Sequence, residues 1–188
     1  MNKRHFRPSF TLRILALCLL AAATRILPHP VNFGPLTAVA LFAGYRLGSI
    51  KLVVPVVLLT VFLSDVLVNA LLYHVYDAQY FLSPITLSLY TFYVAASLLS
   101  TRLSLQKVPI LMGSSLAASV TFFLVSNAAV WASGTTYPGD LAGLMACYIA
   151  GLPFFSNTVA GDLFYLSALV LGTAWAERHI PAFQSREV

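Results

Sequence analysis

The chain has 188 residues, of which 59% are hydrophobic and only 9% charged; its net charge is +5 and its mean hydropathy +0.84. A soluble domain carries roughly 25% charged residues, so this chain cannot cover its own surface with polar groups and lipid must be part of its solvent. The eleven Lys and Arg form no long run, which excludes a nucleic-acid face built from clustered basic residues.

A bilayer core of roughly 30 Å needs about 20 apolar residues per helix. Six such runs follow one another, at 10–27, 35–48, 50–74, 84–103, 108–133 and 157–176. The expectation is an all-α, polytopic membrane bundle of about six transmembrane helices, folded as one domain over 1–188. The second run is short, roughly 21 Å by helical rise. It either begins in the preceding turn, 28–34, or sits in a cavity, since broken backbone is tolerated where it faces protein or water.

The basic residues orient this map. With the N-terminus inside, Lys3, Arg4, Arg7 and Arg13 share the cytoplasmic side with Arg46, Lys51, Arg102, Lys107, Arg178 and Arg186. Ten of the eleven basic residues then fall on one side, as the positive-inside rule requires. The tails 1–9 and 177–188 are cytoplasmic and the membrane is a bacterial inner membrane. Tyr73, Tyr76, Tyr80, Trp131 and Tyr137 form an outer aromatic belt and Trp175 marks the inner boundary. A rival reading takes the basic start, the core 15–23 and Ala21-Ala22-Ala23 as a cleaved signal peptide. That would leave five spans and a mature N-terminus outside.

Charged groups in a membrane core cost roughly 2.5–3.5 kcal/mol each on insertion scales, so they default to function. Asp65 in the third run and Asp162 in the sixth both fall in the outer half. So do Asn69, one turn above Asp65, and Asn127 and Asn157. Arg25, His29 and Asn32 stand at the outer end of the first run and just beyond it. The inner half is nearly bare of polar groups. An outward-opening polar site lined by Asn32, Asp65, Asn69, Asn127, Asn157 and Asp162 is expected, with Arg25 and His29 at its mouth and Tyr148 above. Arg25 neutralises Asp65 or Asp162. The structural alternative is that the asparagines bond across helices as packing glue.

Asp140, after Tyr137-Pro138-Gly139, reads as the N-cap of a short extra helix running to Pro153. Leu141, Leu144, Met145, Tyr148, Ile149 and Leu152 share one face, and the other face is small and uncharged. The helix therefore reads as a lid with both faces covered, or as an interfacial helix in the headgroups. Gly113, Ala117, Ser115 and Ser119, at spacings of four, mark close helix packing. Cys18 and Cys147 form no CxxC or Cys/His cluster, so two free thiols and no metal are expected.

Three strings carry a resemblance: 25–35 followed by 38–44; Ser126-Asn127-Ala128-Ala129-Val130-Trp131 with Tyr137-Pro138 and 141–144; and 152–158 with Gly161-Asp162-Leu163-Phe164. They resemble an uncharacterised family of small bacterial membrane proteins, a domain of unknown function often described as transport proteins. More distantly, the layout is similar to the S components of energy-coupling-factor vitamin transporters, to which 35–48 with Gly44-Tyr45-Arg46-Leu47-Gly48 also looks similar. That likeness implies a six-helix fold, an outward-facing site covered by loops, and partners consisting of a transmembrane coupling protein and ATPase subunits. Many S components use an alanine pair four apart on helix 1, which this chain lacks.

The function expected is transport: binding of a vitamin-like or other small polar organic solute at an outward-facing site, without catalysis or cofactor. No GxxxxGK[ST] string is present, so any ATP is hydrolysed by a partner. One alternative is a membrane scaffold or assembly subunit. Another is an intramembrane aspartyl hydrolase using Asp65 and Asp162 as a proton-sharing pair. In the latter, Val159 and Ser64 stand where a glycine and a tyrosine are expected.

Overall fold

The computed structural model describes residues 8–74 and 77–180. Lys3, Arg4, Arg7, Tyr76 and Arg186, which entered the orientation argument, lie outside the described residues. The described residues are helical or loop, with no strand among them. Helix α1 (Pro8–Ala23) ends in a 3-10 turn, Thr24–Ile26; α2 (Leu36–Leu47) and α3 (Ile50–Val68) follow. Helix α3 runs on into a π turn, Asn69–Tyr73. A short α4 (Ala78–Leu82) precedes α5 (Pro84–Ser100), α6 (Val108–Ala132) and α7 (Leu141–His179).

Local chemistry sets these boundaries. Gly48 adopts the left-handed conformation (φ 62°) and its N–H returns to the Gly44 carbonyl, closing α2 as glycine does at a helix end. Ser83 caps α5 by accepting from the Thr86 N–H at 3.1 Å, with Pro84 at the first helical position, where its missing N–H would be unsatisfied anyway. Asp140 caps α7 as its sequence position suggests, accepting from the Gly143 N–H at 2.7 Å.

Four helical segments are long and apolar enough to cross a membrane: Ser9–Ile26, Ile50–Tyr73, Val108–Ala132 and Leu141–His179. Helices α2 and α5 are apolar but shorter. Helix α2 is the centre of the bundle, touching α1, α3, α5, α6 and α7. Ten of its twelve residues are buried, so its 18 Å or so of length is enclosed by protein and need not match the thickness of a bilayer. Helix α5 comes so close to it that a Cβ on Gly44 would run into the Ser97 carbonyl oxygen. Ser100 Oγ donates to the Leu41 carbonyl beside that crossing, at 2.5 Å. The outside of the bundle carries the opposite pattern. Met112, Leu116, Val120 and Leu124 form an exposed ridge at four-residue spacing on α6, and Leu59, Phe62, Leu63 and Val66 are exposed on α3. Apolar side chains facing outward are what a lipid solvent selects.

The expected break at Pro153 does not occur. The predicted lid and the sixth predicted run are one 39-residue helix, with Pro153 inside it. Its first half lies alongside α6 rather than across the end of the bundle: Tyr148 Oη donates to the Leu124 carbonyl at 2.9 Å, and Cys147 Sγ to the Asn127 carbonyl at 3.3 Å. Nor are both faces of this stretch covered, as a lid would require. Gly143, Cys147 and Gly151, one turn apart, make the close contacts to Pro138, Asn127 and Phe123. Leu141, Met145, Ile149 and Leu152 are left 56–71% exposed. Small residues let two helix backbones approach, so the inward stripe is Gly143, Cys147 and Gly151 with the half-buried Leu144 and Tyr148 beside it, and Ala142, Ala146 and Ala150 turn out with the larger apolar side chains. Both cysteines are free and buried.

Candidate functional site

Opposite ends of the bundle differ in chemistry. At one end Arg46 pairs with Glu177 and lies over the Phe10 ring, 5.4 Å from its centroid. The polar groups picked out by sequence collect toward the other end. Asp65 stands fifteen residues after Ile50, and Asp162 fifteen before Glu177. At the helical rise, both acids lie about 22 Å along their helices from the Arg46 end.

A cavity of about 530 Å³ opens near that level. Its mouth is the segment between α1 and α2, where Pro28, His29, Val31 and Asn32 are exposed. Asn32 holds a left-handed backbone (φ 63°), which asparagine tolerates better than most residues. The π turn that follows α3 contributes Leu72 and Tyr73 to the wall; such turns recur at functional sites. Tyr93 of α5 and Phe122 of α6 add aromatic surface, their rings stacked with centroids 6.2 Å apart. Thr37, Thr158 and Asp162 line the buried part.

The two membrane acids are held differently. Asp65 is 6% exposed and fully matched: Arg25 Nη1 donates to Oδ1 at 2.6 Å and Tyr90 Oη donates to Oδ2 at 2.9 Å. Arg25 Nη1 also donates to Ser64 Oγ at 2.9 Å. Of the two partners left open for Arg25, the structure selects Asp65. Asp162 is 2% exposed and takes part in no ion pair among the described residues. Ser119 Oγ donates to its Oδ2 at 2.7 Å, and the Thr37 hydroxyl is its other partner. Gly161 lets α7 close on the mouth segment there, since a Cβ would sit 3.1 Å from Gly34 N and Phe33 Cα.

Of the nine expected site residues, Arg25, His29, Asn32 and Asp162 line this cavity. Asp65 acts on it through Arg25. Asn157 donates to the Val31 carbonyl at 3.0 Å and so ties the mouth segment to α7. Asn69 is buried at 4% exposure behind the wall and does not line the cavity. Asn127 lines a neighbouring cavity of about 410 Å³, which shares Asn32, Phe122 and Thr158 with the first. It bonds back to the Phe123 carbonyl at 2.8 Å and receives Gly151 of α7. Tyr148 lines neither cavity and serves the α6–α7 contact. A third cavity, about 470 Å³ between α5 and α6, has no charged residue in its lining.

Sequence reasoning passed over Thr37, Ser119, Ser64, Tyr90, Tyr93 and Phe122. Ser119 carried a signal, since it stands in the small-residue stripe of α6, but that spacing pointed to packing. The two acids have different partners: Arg25 and Tyr90 for Asp65, Ser119 and Thr37 for Asp162. Among the described residues, no group of three metal-ligating side chains is found. Neither the curated proteins nor the solved structures provide a match to this chain. The pattern of one family does match, across residues 6–183 and therefore nearly the whole bundle: the chain belongs to DUF6580, a family of unknown function.

Proposed function

We propose that this chain is a membrane transport protein that admits a small polar organic solute into the 530 Å³ cavity from the outer side of a bacterial inner membrane. In this reading α1, α2, α3, α5, α6 and α7 are six spans, in the manner of an S component, with both termini cytoplasmic. A transmembrane coupling protein with ATPase subunits supplies the energy. One observation carries the proposal: a polar, exposed mouth leads to a floor where, among the described residues, a buried carboxylate is held by hydroxyls and by no cation. The volume falls within the roughly 300–1,000 Å³ of small-molecule sites. The large apolar surface around the bundle excludes water elsewhere, so polar groups at this depth are worth keeping only if something uses them.

The experiment is to purify the full chain in mild detergent, identify copurifying small molecules by mass spectrometry, and measure uptake of the molecule found. Thr158→Trp places an indole in the cavity and is expected to abolish binding while the protein stays monodisperse. Unchanged binding and uptake in that variant would overturn the assignment of the cavity and favour the scaffold reading.

A further inference from the structure

The charge balance of the cavity narrows the solute. Arg25 is a wall residue, but its charge is matched by Asp65 at 2.6 Å. Asp162 has no such match among the described residues. The groups around it can be taken element by element. Helix α2 presents Thr37 and α6 presents Ser119, both neutral hydroxyls. The turn after α1 and the mouth segment bring Arg25 and His29, α3 brings Tyr73 through its π turn, and α5 brings Tyr93. On α7 itself, the Tyr165 hydroxyl is engaged by Thr24 at 2.9 Å. The cavity thus holds one carboxylate in excess over its matched ion pair, beside the aromatic surfaces of Tyr73, Tyr93 and Phe122. A buried carboxylate and aromatic faces together favour an organic cation.

The hydroxyl next to Asp162 is built for two protonation states. Ser119 Oγ lies 2.7 Å from Asp162 Oδ2 and 3.0 Å from the Ser115 carbonyl oxygen. A hydroxyl has one proton to give and can also accept. Facing a carboxylate, Ser119 donates to it. Facing a carboxylic acid, Ser119 turns its proton to the Ser115 carbonyl and accepts from Asp162. Neither state leaves a buried polar atom of this pair unsatisfied, whereas an ionised Asp162 without a cation would be a bare buried charge.

Resting on the solute-site reading above, we propose that the solute is an organic cation bearing a protonated amine, bound in exchange for a proton on Asp162. The step balances: the Asp162 carboxylic acid loses its O–H proton to water in the cavity, the O–H bonding pair stays on the carboxylate, and the ammonium group of the solute takes the vacated charge partner. One proton leaves for each cation bound.

The test uses the purified full chain in detergent. Dicyclohexylcarbodiimide, which modifies protonated carboxyl groups in apolar surroundings, is expected to label Asp162 and to leave Asp65 unlabelled, read by peptide mass spectrometry. Tryptamine, benzylamine and phenethylamine are then tested for protection. At least one is expected to reduce labelling at Asp162 several-fold and, in weakly buffered solution with an indicator dye, to release close to one proton per molecule bound. Asp162→Asn is expected to weaken that binding at least tenfold. If Asp162→Asn does not fold, labelling and proton release on the unaltered chain decide alone. Lack of labelling at Asp162, or lack of protection by every cation, overturns the exchange. Tight binding of indole-3-propionate or 3-ethylindole, lost in Thr158→Trp, overturns the cation and leaves the solute cavity standing. Failure of amines, neutral compounds and acids alike removes the cavity reading as well.

Discussion

Removing the Arg25 guanidinium tests the ion pair that forms the cavity wall. Arg25→Ala leaves Asp65 with its Tyr90 bond but without a cation, in a position where the carboxylate side chain is 8% exposed. Breaking a buried pair from one side costs about 3–5 kcal/mol. Arg25 itself is 22% exposed, which admits some water and places the expected loss near the lower bound, about 3 kcal/mol. In the double variant Arg25→Ala/Asp65→Asn, the amide oxygen can still accept from Tyr90 and no charge is stranded. That variant is expected to recover at least about 1 kcal/mol of the loss, a coupling typical of residues in contact. The assay is reversible unfolding in mixed micelles by increasing denaturing detergent, for the wild type, both single variants and the double. If Arg25→Ala and the double variant unfold at the same detergent fraction, the pair does not act as a matched charge pair and the account of the wall fails.

Gly44→Ala forces a methyl group onto the Ser97 carbonyl and is expected to destabilise by about 1–3 kcal/mol or more. Gly113→Ala, with nothing within 4 Å of the new methyl, should be neutral or slightly stabilising by the same unfolding assay. Glu177→Gln removes the partner of Arg46 at the opposite end; at that partly exposed site the loss should stay near 1 kcal/mol or below. A reporter fused after Val188 should be active only in its cytoplasmic form, and a periplasmic signal would overturn the six-span orientation.

Much of the fold could be read from sequence because lipid imposes a simple rule. Each apolar run became a helix, and Ser83, Asp140 and Gly48 stand at ends their chemistry favours. The continuity of α7 was hidden because proline in an aqueous helix ends it. Within a bundle, neighbouring packing tolerates it. The cover expected over both faces of 141–152 is missing for a related reason. In water large apolar side chains must pack, whereas beside lipid they can face outward, and only the stripe of Gly143, Cys147 and Gly151 needs to meet its neighbours. The depth of the site was legible through Arg25, Asp65 and Asp162. The hydroxyls that hold Asp162 were not, because Thr37 and Ser119 look the same in sequence as residues that merely pack. Nor could periodicity separate Asn127, turned to the neighbouring cavity, from Asn32, which borders both.

The two acids, so alike in sequence and in depth, should answer the same substitution with opposite signs. Asp65→Asn strands the Arg25 guanidinium beside a neutral amide, and the loss of a charged partner there is expected to cost about 2–3 kcal/mol, discounted from the full buried-pair value because Arg25 retains Ser64 and some contact with water. Asp162→Asn removes no cation's partner. Its amide oxygen can accept from Ser119 Oγ as the carboxylate does, and its NH₂ group can point into the cavity. In the empty protein Asp162 is the neutral acid of the proposed exchange, and an amide in its place removes the cost of keeping a buried carboxyl protonated. The empty protein carrying Asp162→Asn should therefore be as stable as wild type, or more stable by up to about 1 kcal/mol. Residues retained against stability are where activity is paid for in folding energy. Equal losses from the two substitutions would show that Asp162 is a structural acid like Asp65, and would withdraw the physical reason for assigning it to a solute.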